Sequence, residues 1–307
     1  MTEIMDPIFA HFRRYQGPSK PGWTILDFLG SSVRNGFVRP EFTRVHPGIV
    51  DTTYPELNED IVAWVDLLHA VTAAQDSFTM LELGAGYGLW SIRAAKAFRQ
   101  LSDKKCSLIA VEAEPLHYQW LKTHFQDNGF DPAEHRLINA AIGDREGKAL
   151  FFVGSPSGDE FNATNWYGQR LKRENEGTGT RSGEFYKGHP VLVLENGWKC
   201  IEVPVITLSS VLEGVGIIDF VHVDLQGHEV DVIKSGIELL DQQARHIHIG
   251  THSAGIEEHL RYLFQSHGWR LCADYAGRGR RASPYGDIDF DDGVQSWQNV
   301  RFSECRT

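Results

Sequence analysis

The 307-residue sequence contains no uninterrupted apolar stretch of the roughly 18–20 residues that a membrane-spanning helix needs. Its first residues, Met1-Thr2-Glu3-Ile4-Met5-Asp6, are acidic and lack the apolar run of a secretory signal, so a cytoplasmic protein is expected. Cysteine is scarce. Cys106, Cys200, Cys272 and Cys305 lie far apart, and no CxxC spacing exists to support a zinc knuckle or a thioredoxin-like redox site. Basic charge is also short: 30 Lys and Arg against 41 Asp and Glu give a net charge of -11. A protein that tracks a phosphate backbone carries a basic face, so nucleic acid is not expected as a partner. No internal repeat is present. Apolar residues make up 41%, which is a folded, water-soluble composition.

The chain alternates strand and helix patterns, the signature of an α/β fold with a mostly parallel sheet. Residues 1–55 are rich in Pro, Gly, Arg and aromatics and read as an arm packed on the main domain, with a short helix opened by Asp6 and Pro7. Residues 56–307 read as that domain. Ile61, Trp64, Val65 and Leu68 recur at helical spacing. Strands are expected at Phe78–Leu83, Leu108–Glu112, Leu137–Ile142, Ala149–Val153, Ile217–Asp224, Ile247–Ile249 and Trp269–Cys272. Trp297–Phe302 reads as an antiparallel edge strand. Helices are expected at Leu89–Arg99, Pro115–Asn128, Val230–Leu240 and Ile256–Gln265. Residues 154–200 interrupt the alternation. They are rich in Gly, Ser and Asn, hold Trp166, Tyr167, Phe185, Tyr186 and Trp198, and read as a lid-like insertion. Residues 274–296 read as a second loop, with Arg278, Arg280 and Arg281 followed by Asp287, Asp289, Asp291 and Asp292.

The sharpest motif is Glu82-Leu83-Gly84-Ala85-Gly86-Tyr87-Gly88, placed between a strand and a helix. Glycines there permit a tight turn and let a cofactor approach the main chain. Dinucleotide sites space their glycines as GxGxxG; this turn is GxGxG. A carboxylate at Glu82 would repel a pyrophosphate and attract an ammonium or sulfonium. The combination suits S-adenosylmethionine better than NAD. Glu112 ends the next strand, where a carboxylate can accept both ribose hydroxyls of an adenosine. Ala113 follows it, and Asn139 and Ala140 end the third strand, close to where an adenine ring would lie. A second cluster, Asp224, Gln226, His228 and Glu229, follows the apolar strand ending at Val223. In open α/β sheets ligands sit at such carboxyl ends. His252 ends the neighbouring strand and can face Asp224. Asp224, His228 and His252 are the set that could hold a divalent metal, but no tight ligand spacing supports one, and a proton-handling or hydrogen-bonding role is preferred. His246 and His248 read as packing residues.

These segments resemble the FkbM-type methyltransferases, S-adenosylmethionine-dependent enzymes with the class I Rossmann-like fold. The resemblance rests on Glu82–Gly88, Val111–Pro115, Asn139–Gly147 and Ile218–Glu229 in that order, with Val205–Ser209 as a lead-in, and covers about residues 78–272. It implies a sheet order of 3-2-1-4-5-7-6 and methylation of a hydroxyl on a natural product or sugar. On that reading Glu82, Gly84, Ala85, Gly86, Gly88, Glu112, Ala113, Asn139, Ala140 and Asp224 hold the cofactor. Asp224, with His228 or His252, handles the acceptor proton. Tyr87, Trp90, Gln226 and Glu229 wall the acceptor side, and Trp166 and Tyr167 close over it. The sequence departs from the family's habit at His222, where lysine is common, and at Thr251-His252, where an acidic residue is common. The rival readings are a non-catalytic module that binds the cofactor and an NAD-dependent oxidoreductase. A homo-oligomer is left open.

Overall fold

The computed structural model describes residues 6–44, 48–154 and 169–302. Seven strands form the central sheet: β1 Ser77–Leu83, β2 Lys105–Glu112, β3 Arg136–Asn139, β4 Phe220–Val223, β5 His246–Thr251, β6 Arg270–Tyr275 and β7 Gly293–Gln298. Their spatial order is 3-2-1-4-5-7-6. All neighbours are parallel except β7, which runs antiparallel to both β5 and β6. This is the class I methyltransferase sheet. The strand expected at Trp297–Phe302 therefore starts earlier, ends at Gln298 and lies inside the sheet; β6 is the edge.

Helices cover both faces: α1 Asp60–Ala73, α2 Leu89–Leu101, α3 Pro115–Asp127, α4 Leu208–Leu212, α5 Glu229–Gln243 and α6 Ala254–Ser266. Strand alternation sends Phe78, Met80 and Phe220 into one core with Trp64 and Leu68 of α1 and Phe98 of α2. Leu81, Leu83, Val221 and Val223 enter the other, with Ile233 and Leu240 of α5 and Leu260 of α6. Both faces of β4 are thus covered, which is why its sequence is apolar. Among the described residues no helix is long and apolar enough to cross a membrane.

The expected strand over 137–142 breaks at Ala140. Ala141–Gly143 leaves the central sheet and pairs parallel with Lys199–Thr207, the backbone of a second, five-stranded sheet. Gly147–Gly154 and the hairpin Gly179–Tyr186/His189–Leu194 complete that sheet. Much of the insertion is therefore β-structure rather than open loop. Alternating apolar residues such as Val191, Ile201 and Val203 give it a core of its own. Trp166 and Tyr167 lie outside the described residues. The second expected loop is also a hairpin, Gly279–Ser283 paired with Gly286–Phe290, where Arg280 meets Asp287 at 3.3 Å.

In the N-terminal arm Asp6 accepts a hydrogen bond from the Ile8 amide and opens a short 3-10 helix, Pro7–His11. Phe9 and Phe28 pack into the core around Trp64. The arm is also tied electrostatically. Arg93 of α2 bonds Asp27 at 3.3 Å, and both side chains are almost wholly buried. The guanidinium lies between Trp64 and Trp90, 4.5 and 4.3 Å from their ring centres. Removing one member of such a pair strands the other charge out of water. Arg93→Ala is expected to cost about 3–5 kcal/mol of unfolding free energy. Urea denaturation reads this directly, and a cost below about 1 kcal/mol would mean that the pair behaves as an exposed one.

Candidate active site

Three turns at the carboxyl ends of β1, β2 and β4 converge on one cavity. After β1 the amides of Gly84 and Ala85 both donate to the Val111 carbonyl, at 3.1 and 3.0 Å. Gly84 has φ +78°, and an added Cβ would lie 1.8 Å from the Asp224 carbonyl oxygen. Gly88 has φ +77°, and a Cβ there would meet Leu121 of α3 at 2.4 Å. The first glycine seats the turn against β4, and the last seats α2 against α3. Gly86, also at positive φ, lines the cavity.

Gly88 stands at the N-cap of α2 and has no side chain to offer. Glu82 of β1 supplies what is missing. Its carboxylate accepts from the Trp90 amide at 3.2 Å, the Ser91 amide at 3.0 Å and the Ser91 hydroxyl. These amides are the second and third of the helix, the ones a capping side chain normally serves. Glu82 is 2% exposed and does not line the cavity. Burial pushes its carboxyl up to about 7 against the pull of these donors.

Glu112 does line the cavity. One oxygen accepts from the Gly86 amide and the other from the Glu114 amide, both at 2.7 Å. Burial pushes its carboxyl up to about 8, opposed by those amides. Ala113 and Ala140 line the same wall, with Ala141 and Ile142 beside them. Asn139 does not. Its amide donates to the carbonyls of Glu112 and Ala113, at 2.9 and 3.3 Å, and so fixes the end of β2. Tyr87 and Trp90 also lie off the cavity lining. Tyr87 packs edge-on to His124. Trp90 stacks on His222.

Asp224 and Gln226 line the cavity and begin a polar row. Gln226 Nε2 lies 2.9 Å from Asp224 Oδ1 and 2.8 Å from His252 Nε2. Its backbone takes φ +52°, which a non-glycine residue adopts at a cost that the surrounding contacts must offset. His252 Nε2 is 3.4 Å from Asp224 Oδ1 and 3.8 Å from Asp292 Oδ2. Its Nδ1 bonds Glu229 Oε1 at 2.7 Å. Burial works against a charge on His252, but Asp224 and Glu229 outweigh it and raise the imidazole to about 10. Burial likewise opposes ionisation of Asp224; hydrogen bonding and charge from His252, with Gln226, hold its carboxyl below the ordinary range. Burial moves Asp292 upward.

His228 also lines the cavity but stands apart from this row. Its Nε2 bonds the Leu171 carbonyl at 3.1 Å. Leu171 belongs to a strap, residues 169–173, whose first three residues line the cavity. Arg173 reaches the Gly227 carbonyl at 3.3 Å, and Arg170 pairs with Glu176. Gln169, Arg170 and Leu171, with His117 and Phe151, line the cavity and were not anticipated. The strap carries no period, so only its place inside the insertion hinted at it. His117 follows Glu114 by three residues at the start of α3, a spacing that places both near the carboxyl end of β2.

Residues 82–271 match the family model of the methyltransferase FkbM domain. The chain belongs to the FkbM methyltransferase family. The chain is 30% identical over 226 residues to a provisionally named methyltransferase of Jannaschia sp. (strain CCS1), covering 71% of this chain and 74% of that protein. Two solved structures are similar at low identity. Precorrin-6y C5,15-methyltransferase from Geobacter metallireducens GS-15 is 12% identical, with a TM-score of 0.41 over 80% of this chain and 92% of that one. A methyltransferase FkbM from Methylobacillus flagellatus KT is 12% identical, with a TM-score of 0.42 over 73% of this chain and 45% of that one.

The raised carboxyls of this FkbM domain give its stability a pH dependence. Glu82 and Glu112 bind protons more tightly in the folded chain than at their ordinary value of 4.5. Their contribution is complete below pH 4.5 and is lost as pH rises through about 7 for Glu82 and about 8 for Glu112. Urea unfolding followed upward through this range should show falling stability, and Glu82→Gln should flatten the slope. An unchanged slope in that variant would remove Glu82 as a source.

Proposed function

We propose that the chain transfers a methyl group from S-adenosylmethionine to a hydroxyl group of a small-molecule acceptor. The observation that carries this reading is the continuity of the site. A cavity floored by Gly84 and Gly86 and walled by Glu112 and Ala140 opens onto Asp224, and Asp224 leads directly into the Gln226–His252–Glu229 row.

The residues present fit the cofactor. Gly84 and Gly86 leave the main chain bare, so that a ligand can lie against it. Glu112 stands where a vicinal diol can reach a buried carboxyl. Val111, Ala113, Ala141, Ile142 and Phe151 give an apolar wall of the kind a flat purine covers. Bound there, the cofactor supplies a methyl group on a positively charged sulfur, an already activated leaving arrangement.

The chain then has to place an oxygen and manage a proton. Asp224, ionised and half-exposed, accepts a hydrogen bond from the acceptor hydroxyl and turns its lone pair toward the cofactor. With no ion bound, His252 carries its proton at neutral pH because two carboxylates flank it. It therefore steadies negative charge growing on the oxygen, and Asp224 is the group left to receive the proton. His228 and Arg173 hold the strap over the cavity, which limits access of water. The acidic surroundings of the site and the net charge of -11 favour a small acceptor over nucleic acid.

Calorimetric titration with S-adenosylhomocysteine, with NAD as the control, tests the cofactor class; binding of NAD alone would overturn it. Glu112→Ala should weaken S-adenosylhomocysteine binding by about 1–3 kcal/mol. An unchanged affinity would take Glu112 out of the cofactor site. Asp224→Ala should keep that affinity and lose turnover in an acceptor screen. Undiminished turnover in this variant would move the reacting centre elsewhere.

A further inference from the structure

We propose that the row beyond the cofactor cavity is a binding site for a hard divalent cation, of the Mg2+ or Mn2+ class, held by His252 Nε2, Asp224 and Asp292. The role for such an ion, receiving the acceptor oxygen, rests on the methyl-transfer reading above; the binding itself does not.

The argument begins with geometry. His252 Nε2 has Asp224 Oδ1 at 3.4 Å on one side and Asp292 Oδ2 at 3.8 Å on the other. Ligand atoms that share a cation with bonds of about 2.0–2.6 Å lie at such separations from one another. Candidate ligand atoms of Asp224, Glu229 and His252 also all fall within 4.8 Å of each other. The Gln226 carboxamide nitrogen occupies the gap between imidazole and Asp224, at 2.8 and 2.9 Å. A rotation of that group about its last bond puts Oε1 there, which converts a donor in the gap into a further oxygen ligand.

The charge balance points the same way. Asp224, Glu229 and Asp292 bring three carboxyl groups around one imidazole, and a divalent ion that takes the place of the Nε2 proton supplies the positive charge they call for. Glu229 gives an independent sign. It is wholly buried, Oε1 already accepts from the Leu225 and Gly227 amides and from His252, and Oε2 has no partner among the described residues. A buried carboxylate that grips one imidazole nitrogen keeps a proton on it, so that an ion displaces the proton of the other, outward nitrogen and takes its lone pair, the usual support of a metal-bound histidine. The outward nitrogen here is the one that faces Asp224 and Asp292. One imidazole among carboxylate and amide oxygens favours Mg2+ or Mn2+ over softer metals. His228, the third member of the set that could hold a metal by sequence, is held instead by the Leu171 carbonyl.

His252 and Asp292 also line a second cavity, with Ser253, Glu257 and Arg278, whereas Asp224 lines the first. A cation at His252 would stand at the wall between the two.

The test is titration of the metal-free full chain with Mn2+, read by electron paramagnetic resonance, with S-adenosylhomocysteine binding measured on every variant by calorimetry. One Mn2+ is expected per chain, with spin-echo modulation from a directly bound nitrogen that His252→Ala abolishes. Asp224→Asn and Asp292→Asn should each weaken Mn2+ by at least about tenfold, and Glu229→Gln by about 10–100-fold. Asp291→Asn, next to the site but not facing His252, should leave it unchanged. Retained S-adenosylhomocysteine binding certifies a folded variant. A wild-type chain that binds S-adenosylhomocysteine but no Mn2+ at millimolar concentration would overturn the cation site and leave the methyltransferase reading standing. So would Mn2+ binding that survives Asp224→Asn and Asp292→Asn, or that shows no nitrogen signature. Mn2+ binding by a chain that takes up no S-adenosylhomocysteine would do the reverse: the cation site holds and the cofactor reading falls.

Discussion

The site depends on one close approach. The turn after β1 lies so near the end of β4 that a single methyl group on Gly84 would overlap the Asp224 carbonyl oxygen. That contact sets the distance between the cavity floor and the polar row. Other bonds hold the same point from different sides. The Val111 carbonyl takes the amides of Gly84 and Ala85, Glu112 takes the amide of Gly86, and the Asp224 amide donates to the Leu83 carbonyl at 2.9 Å. Three strand ends are thereby joined through main-chain groups, so side chains at the mouth can vary while the frame does not. The glycine spacing follows from this packing as well as from any ligand.

Below the mouth runs a buried polar row. Across the sheet Glu82 of β1 stands beside His222 of β4, His222 beside His248 of β5, and His248 beside Ser296 of β7. All four are buried. Each polar group there must find a partner or lose its charge. Glu82 has the start of α2, and His248 bonds Asp66 of α1 at 2.8 Å. His222 is left neutral, pushed down to about 3 by burial and by His248. A lysine at that position would bring a charge into the same place, next to Arg93. The row therefore explains why Glu82 serves the helix rather than the cavity: its side of the strand faces α2, and the cavity opens at the strand's end.

Most of the central sheet was legible in the sequence because each strand carries an apolar run and each helix its period. The resemblance supplied the strand order, which periodicity alone does not contain. Element ends moved by a few residues. What the sequence hid was pairing over distance. Nothing local says that the chain changes sheets at Ala140, that residues 179–194 form a hairpin, or that β7 goes between β5 and β6. The site shows the same division. Glu112, Ala140 and Asp224 line the cavity as their positions at strand ends suggested. Glu229 and Asp292 surround His252 only because α5, β5 and β7 meet in space. Asn139 looked available because its position is right, yet its amide is taken by the backbone it follows. His252 reads as a proton-handling residue in the sequence, and what holds its proton, Asp224 and Glu229 together, lies 28 and 23 residues away along the chain.

The antiparallel strand inside the sheet has a consequence for the order in which the molecule is built. Strands β1 to β5 can pair as they leave the ribosome, since each neighbour precedes or closely follows it. β6 cannot join them, because its only partner in the sheet is β7, which is synthesised about twenty residues later. Asp292 enters at the same moment, one residue before β7 begins. Every residue that lines the cavity of Gly84 and Glu112 precedes β5, whereas the Asp292 carboxylate beside His252 comes only with β7. A chain cut short before β7 would lose both the partner of β6 and the carboxylate at Asp292, and would leave β5 as the sheet's edge.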